Sequence, residues 1–93
     1  MANQTGTATL KLSTAGEIMT TGGRILWIMH YAAADNGEIL LQDTETGKEI
    51  FYYKNIDVSV LGNYQFFYLG GQSFPKLWLK TLTTSDIVWI GLM

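Results

Sequence analysis

Apolar residues along this chain fall in short runs, broken by Gly, Asn, Asp, Ser and Thr about every eight to twelve positions. That spacing predicts a small antiparallel β-sandwich, jelly-roll-like, of about eight short strands. Thr7 to Leu12 alternates polar and apolar and reads as a first strand. Ser13-Thr14-Ala15-Gly16 breaks it before a short extended piece, Glu17-Ile18-Met19. The turn Thr20-Thr21-Gly22-Gly23 leads into Arg24 to Ala32, rich in Ile, Leu, Trp and Met. Strand is preferred there to helix because Asp35-Asn36-Gly37 stops the segment with a hairpin signal. Glu38 to Asp43 and Lys48 to Lys54 read as a hairpin around Thr44-Glu45-Thr46-Gly47, with Gly47 expected in the left-handed conformation. Asn55 to Val60 is a weaker extended stretch. Tyr64 to Leu69 is a strand closed by Gly70-Gly71, and Lys76 to Leu82 and Ile87 to Met93 form a last hairpin.

Register arguments bear on the two outer hairpins. A loop centred on Thr84-Ser85 pairs Lys80 with Trp89 and Trp78 with Gly91. Leu77, Leu79, Thr81, Val88, Ile90 and Leu92 then share a core face, and Trp78, Lys80 and Trp89 share the opposite one. A two-residue loop at Asn36-Gly37 pairs Ala32 with Leu41. It puts Leu26, Ile28, Ile39 and Leu41 on one face and Ile25, Trp27, Met29 and Tyr31 on the other. Both hairpins carry a second apolar or aromatic face, which is more than one small core can use.

Composition narrows the function classes. The 93 residues allow one domain, taken as 1–93 with 1–6 as a flexible N-terminal arm. Hydrophobic content of 47% with 15% charge excludes a disordered chain. The net charge of -2, with no cluster of Lys and Arg, argues against nucleic acid as a partner. No apolar run is long enough for a membrane span, and the N-terminus lacks the pattern of a signal peptide. Synthesis in a cytoplasm is therefore expected. Without cysteine there is no disulfide framework.

Candidate chemistry is thin. His30, the single histidine, can reach Asp43 in the hairpin register, but a metal site needs three or four convergent ligands and catalysis a nucleophile set against the His. With one His and no Cys, a structural or solvated role is expected. The acids at 35, 38, 43, 45 and 49 lack calcium-loop spacing, and the glycine pairs lack phosphate-loop spacing. No catalytic, cofactor-binding or metal-binding residue is assigned, and an enzyme is not expected. The aromatic excess is the stronger signal: Trp27, Tyr31, Trp78 and Trp89, with Phe51-Tyr52-Tyr53 and Phe66-Phe67-Tyr68. Core and cross-strand pairing account for most of it, and the remainder suggests a recognition surface, because Trp and Tyr are the usual hot spots of interfaces. Trp27, Tyr31, Trp78, Lys80 and Trp89 are the candidate interface.

The order of these pieces resembles small β-sandwich virion proteins of tailed bacteriophages, used as capsid decoration (cement) or tail-associated subunits. The resemblance runs from about Ala15 to the end. It rests on the glycine turn into Gly22-Gly23-Arg24-Ile25-Leu26-Trp27-Ile28, the segment Gly37-Glu38-Ile39-Leu40-Leu41-Gln42-Asp43-Thr44, and the closing Leu77-Trp78-Leu79 and Ile87-Val88-Trp89-Ile90. It implies a non-enzymatic virion protein without cofactors that binds the major capsid protein or another virion protein across capsomers. A dimer or trimer is expected with it. The alternative is a carbohydrate-binding module or a tail-fibre-associated sandwich subunit, whose indoles would line a solvent-open groove.

Overall fold

A computed structural model of the chain describes residues 8–44 and 47–93. The expected arm over 1–6 and the tip of the 44–47 turn lie outside the described residues. Eight strands and one helical turn follow in order: β1 (Ala8–Leu12), β2 (Gly16–Met19), β3 (Gly23–Tyr31), β4 (Gly37–Gln42), β5 (Glu49–Asn55), α1 (Val58–Leu61), β6 (Tyr64–Phe74), β7 (Leu77–Leu82) and β8 (Ile87–Leu92). They form two four-stranded antiparallel sheets, ordered β1-β8-β3-β6 and β2-β7-β4-β5. The first strand pairs with the last, the second with the seventh, the third with the sixth, and the fourth with the fifth. The chain is thus one long antiparallel ribbon rolled up on itself, and the roll places successive pairs of the ribbon, β1–β8, β2–β7, β3–β6 and β4–β5, in alternate sheets. This is the jelly-roll arrangement of a β-sandwich.

The core lies between the sheets. Ile25, Ile28, Val88 and Ile90 come from the first sheet, Ile39, Leu41, Leu77 and Leu79 from the second, all fully buried. Each buries enough apolar surface to contribute about 1.5–3 kcal/mol. Phe67 closes one flank of the core, its ring 5.1 Å from Phe51 and 4.7 Å from Tyr53 on the facing sheet.

Several expectations are corrected here. The segments 24–32 and 38–43 are not a hairpin: β3 belongs to the first sheet and β4 to the second. The turn chemistry at Asn36 was legible, since its φ is +66°, but the turn throws the chain across the sandwich. Likewise β7 and β8 do not pair, and Ser85, at φ +75°, turns the chain from one sheet into the other. Of the three expected hairpins only β4–β5 forms. Leu77, Leu79, Val88 and Ile90 are buried all the same, because alternation decides which side faces inward whichever strand lies alongside, and Leu92 is partly buried. Thr81 is not in the core: one extra residue in β7 relative to β4, between the pairs Leu41–Leu79 and Leu40–Thr81, turns it outward.

Ile25 was expected beside Trp27 and is instead in the core. One extra residue in β3 relative to β8, between the pairs Ile25–Leu92 and Trp27–Gly91, flips the strand over. Strand β6 does not end at Gly70-Gly71. Both glycines have positive φ (67° and 93°), and the register with β3 resumes beyond them at Ile25–Gln72 and runs to Gly23–Phe74. The stretch 55–60 was expected to be extended, but its second half lies in the turn α1 (Val58–Leu61). Asp57 caps it by accepting from the Ser59 and Val60 amides, an arrangement that competes with extended backbone.

Candidate functional site: an aromatic sheet face

Because Val88 and Ile90 point inward, Trp89 and Gly91 point out, and the outer face of the first sheet can be read row by row. In one row Lys11 on β1 stands beside Trp89 on β8, Met29 on β3 and Phe66 on β6. The next row holds Ile87, Tyr31 and Tyr64. On the other side come Thr9, Gly91, Trp27 and Tyr68. Six of these residues are aromatic, and five of them make ring contacts: Trp27 stacks on Phe66 with ring centres 5.6 Å apart, and Tyr31 meets Tyr64 at 5.0 Å. Tyr64 lies 6.3 Å from Trp89, whose ring carries the Lys11 ammonium at 5.9 Å, within cation–π range.

Gly91 makes the centre of this face possible. The Trp27 indole lies flat over it, and a Cβ at position 91 would run into the ring. The contact buries Gly91 while leaving Trp27 half exposed. Towards β6 the face becomes open. Tyr64, Phe66 and Tyr68 remain 60%, 59% and 69% exposed, a row of rings along one strand. Large contiguous apolar patches on a small soluble domain mark interaction sites.

The candidate residues divide between two surfaces. Trp27, Tyr31 and Trp89 belong to this face. Trp78 and Lys80 sit on β7, in the second sheet, so Trp78 and Trp89 point away from opposite sides of the sandwich and Lys80 is not across from Trp89. The hairpin assumption had joined them. Outside the second sheet the surface is mixed: Glu17, Gln42 and Trp78 form one row, and Leu40 stands between Tyr52 and Thr81. Tyr52 donates to Glu38 Oε2 at 2.6 Å. That hydrogen bond raises its hydroxyl above the usual phenol range, aided by burial and by the Glu38 and Glu49 charges. A cleft of about 220 Å³ beside Trp78 is lined by Glu17, Asp43 and Lys76.

Tyr64, Phe66 and Tyr68 were not among the candidate interface residues, although they carry the most exposed rings on this face. The available signal was period-two alternation in Tyr64-Gln65-Phe66-Phe67-Tyr68-Leu69, with rings at every even position and Phe67 and Leu69 between them.

His30 pairs with Asp86 instead of Asp43. Its Nε2 lies 2.9 Å from Asp86 Oδ2, both residues being buried, and Asp86 Oδ1 accepts from the Ala33 amide at 3.0 Å. Asp43 turns away and takes the Lys48 amide at 2.7 Å. Among the described residues, the buried His30 Nδ1 has no hydrogen-bond partner. The pair ties β3 to the turn preceding β8, as a structural strut. Among the described residues no group of His, Cys, Asp or Glu could hold a metal ion, and no helix is long and apolar enough to cross a membrane. Comparison of the chain with family models, curated proteins and solved structures gives no match.

Proposed function

We propose that this protein is a non-enzymatic structural subunit of a phage virion. In this reading it is a capsid decoration, or cement, protein that stabilises the shell by binding the major capsid protein across capsomers. Its contact surface is the outer face of the first sheet. The observation that carries the reading is the continuous aromatic platform of Trp27, Tyr31, Tyr64, Phe66, Tyr68 and Trp89, placed on a rigid sheet with a polar fringe at Lys11 and Thr9. Rigid aromatic anchors of this kind dominate protein–protein binding energy. Jelly rolls recur in viral capsid proteins, which agrees with the resemblance in strand order and turn placement.

The two indoles on opposite surfaces provide the test. Trp89→Ala should fold and lose attachment to undecorated capsids in a pelleting assay, with affinity falling about thirtyfold or more. Trp78→Ala should bind as the parent does. Normal pelleting of the Trp89 variant, or loss confined to the Trp78 variant, would reject this face as the capsid contact.

A second reading has one specific observation behind it. The rings of Tyr64, Phe66 and Tyr68 recur at about 6.8 Å intervals along a strand. They are open to solvent, as stacking on a polysaccharide requires, and lectin domains also use jelly rolls. Pull-down on insoluble polysaccharides, with quenching of tryptophan fluorescence as readout, separates the two.

A further inference from the structure

Strand β6 forms one margin of the first sheet, and its backbone hydrogen-bonding can be worked out from one end. The Ala32 amide donates to Asn63 O at 2.8 Å, and Asn63 Nδ2 returns a bond to Ala32 O at 2.8 Å. Ala32 and Asn63 are therefore a hydrogen-bonded pair. Such pairs alternate in an antiparallel ladder, so His30–Gln65 and Ile28–Phe67 are hydrogen-bonded as well. Tyr64, Phe66 and Tyr68 then turn both N–H and C=O away from β3. The same three residues carry the exposed rings.

The four sheet margins differ in how they are guarded against pairing with another chain. Strand β1 is five residues long and carries Lys11; β2 is four residues long and carries Glu17. Strand β5 carries Glu49 and Lys54. Strand β6 has eleven residues, Tyr-Gln-Phe-Phe-Tyr-Leu-Gly-Gly-Gln-Ser-Phe, without a charge or a proline. Its regular part, Tyr64–Leu69, precedes the glycine irregularity, so nothing twists it out of reach. Natural sheets place charges, prolines or bulges on long margins to prevent association, and this margin has none of them where its backbone is open.

We infer that β6 is a self-pairing margin, along which two copies of this chain join antiparallel about a two-fold axis at Phe66. The occupant is a second copy because the segment is uncharged, so a copy meets no like-charge repulsion, and because its own row is self-complementary. With the axis at Phe66, Tyr64 pairs with Tyr68 of the second copy and Phe66 pairs with Phe66. All three outward-facing residues then become hydrogen-bonded pairs, giving about six new backbone bonds at two per pair. The two four-stranded sheets become one continuous sheet whose aromatic faces run together on the same side. This pairing stands on the margin itself and does not depend on the capsid reading.

The full chain tests it without any partner. Light scattering and sedimentation over a range of concentration should give a mass twice the 10.4 kDa of the chain. Amide exchange at Tyr64, Phe66 and Tyr68 should slow at least tenfold in the dimer. Phe66→Lys opposes two ammonium groups across the axis and should weaken the dimer at least thirtyfold while leaving the monomer folded. A monomeric parent protein would overturn the inference. So would fast exchange of those three amides in a dimer, which is the result for stacking of the two faces. A folded Phe66→Lys variant that still dimerises would overturn it too. Should that variant fail to fold, the exchange measurement on the parent protein decides.

Discussion

At the scale of single residues, the molecule turns on small groups that make room for large ones. Gly91 lies beneath the Trp27 indole, and Gly37 faces the Asp86 carboxylate, where a Cβ would stand 2.5 Å from Oδ2 and 2.9 Å from the Ala32 methyl. Neither glycine has a positive φ, so the requirement at both is space, not backbone freedom. Gly91→Ala should displace the indole, cost about 1–3 kcal/mol as overpacking does, and change the near-ultraviolet circular dichroism of Trp27. At Gly47 the expected left-handed conformation depends on residue 46, outside the described residues. The structure supplies a different constraint, since a Cβ there would collide with the Asp43 side chain that holds the Lys48 amide. The buried His30–Asp86 contact is costly to break. Asp86→Ala leaves His30 Nε2 buried without its partner and removes the acceptor of the part-buried Ala33 amide, and unfolding in denaturant should show a loss of about 3–5 kcal/mol.

Among the elements, β6 and α1 carry the clearest tests. Phe66 and Phe67 are neighbours in sequence and face opposite ways, one towards solvent and the other into the ring cluster with Phe51 and Tyr53. Phe67→Ala should cost about 3 kcal/mol or more, and Phe66→Ala well under 1 kcal/mol in the monomer. Equal costs would mean that the register of β6 is displaced by one residue. The turn α1 adds a pH dependence. Hydrogen bonding from Ser59, and then from the Ser59 and Val60 amides, holds the Asp57 carboxyl below its usual range against the opposing effect of burial. A depressed folded pKa stabilises the protein above the unfolded value, and that contribution disappears as pH falls through the folded one. The melting-temperature gap between the parent and Asp57→Ala should therefore narrow on acidification below the ordinary carboxylate range. The gap should be constant from neutral pH down to weakly acidic pH.

Across the whole molecule, the ribbon topology sets both folding and surface. Pairing β1 with β8 joins the two ends of the chain, so the ladder between them cannot close until the intervening strands are placed. Chains dominated by such non-local pairs fold slowly, and stopped-flow tryptophan fluorescence should give a main phase in the millisecond-to-second range. A main phase in microseconds would mean that local hairpins direct folding, contrary to the crossovers at 32–37 and 82–87. The rolled ribbon also segregates the two outer faces, one aromatic and one mixed. Six aromatic residues are thereby gathered on one side, while Trp78 and Tyr52 lie on the other.

Alternation, turn residues and composition by themselves determined the β class, the number of strands and which residues of a regular stretch share a face. All are local properties: the pleat repeats every two residues, and Asn36 or Ser85 can bend the backbone whatever follows. Leu77, Leu79, Val88 and Ile90 were legible as core for that reason, and Ile28, Ile39 and Leu41 as sharing one face, although two apolar faces left open which of them was the core. Only the tertiary structure decided which strands lie side by side, because a turn fixes where the chain bends and not which sheet receives the next strand. The fate of Ile25 depended on a bulge that exists only relative to β8, and His30 found Asp86 because β3 and β8 are neighbours in space. Trp78 and Trp89 were separated, and Tyr64, Phe66 and Tyr68 joined Trp27, Tyr31 and Trp89, for the same physical reason. A strand's alternation sorts its side chains into two faces, but the face they build together is assembled by long-range hydrogen bonding between strands far apart in the chain.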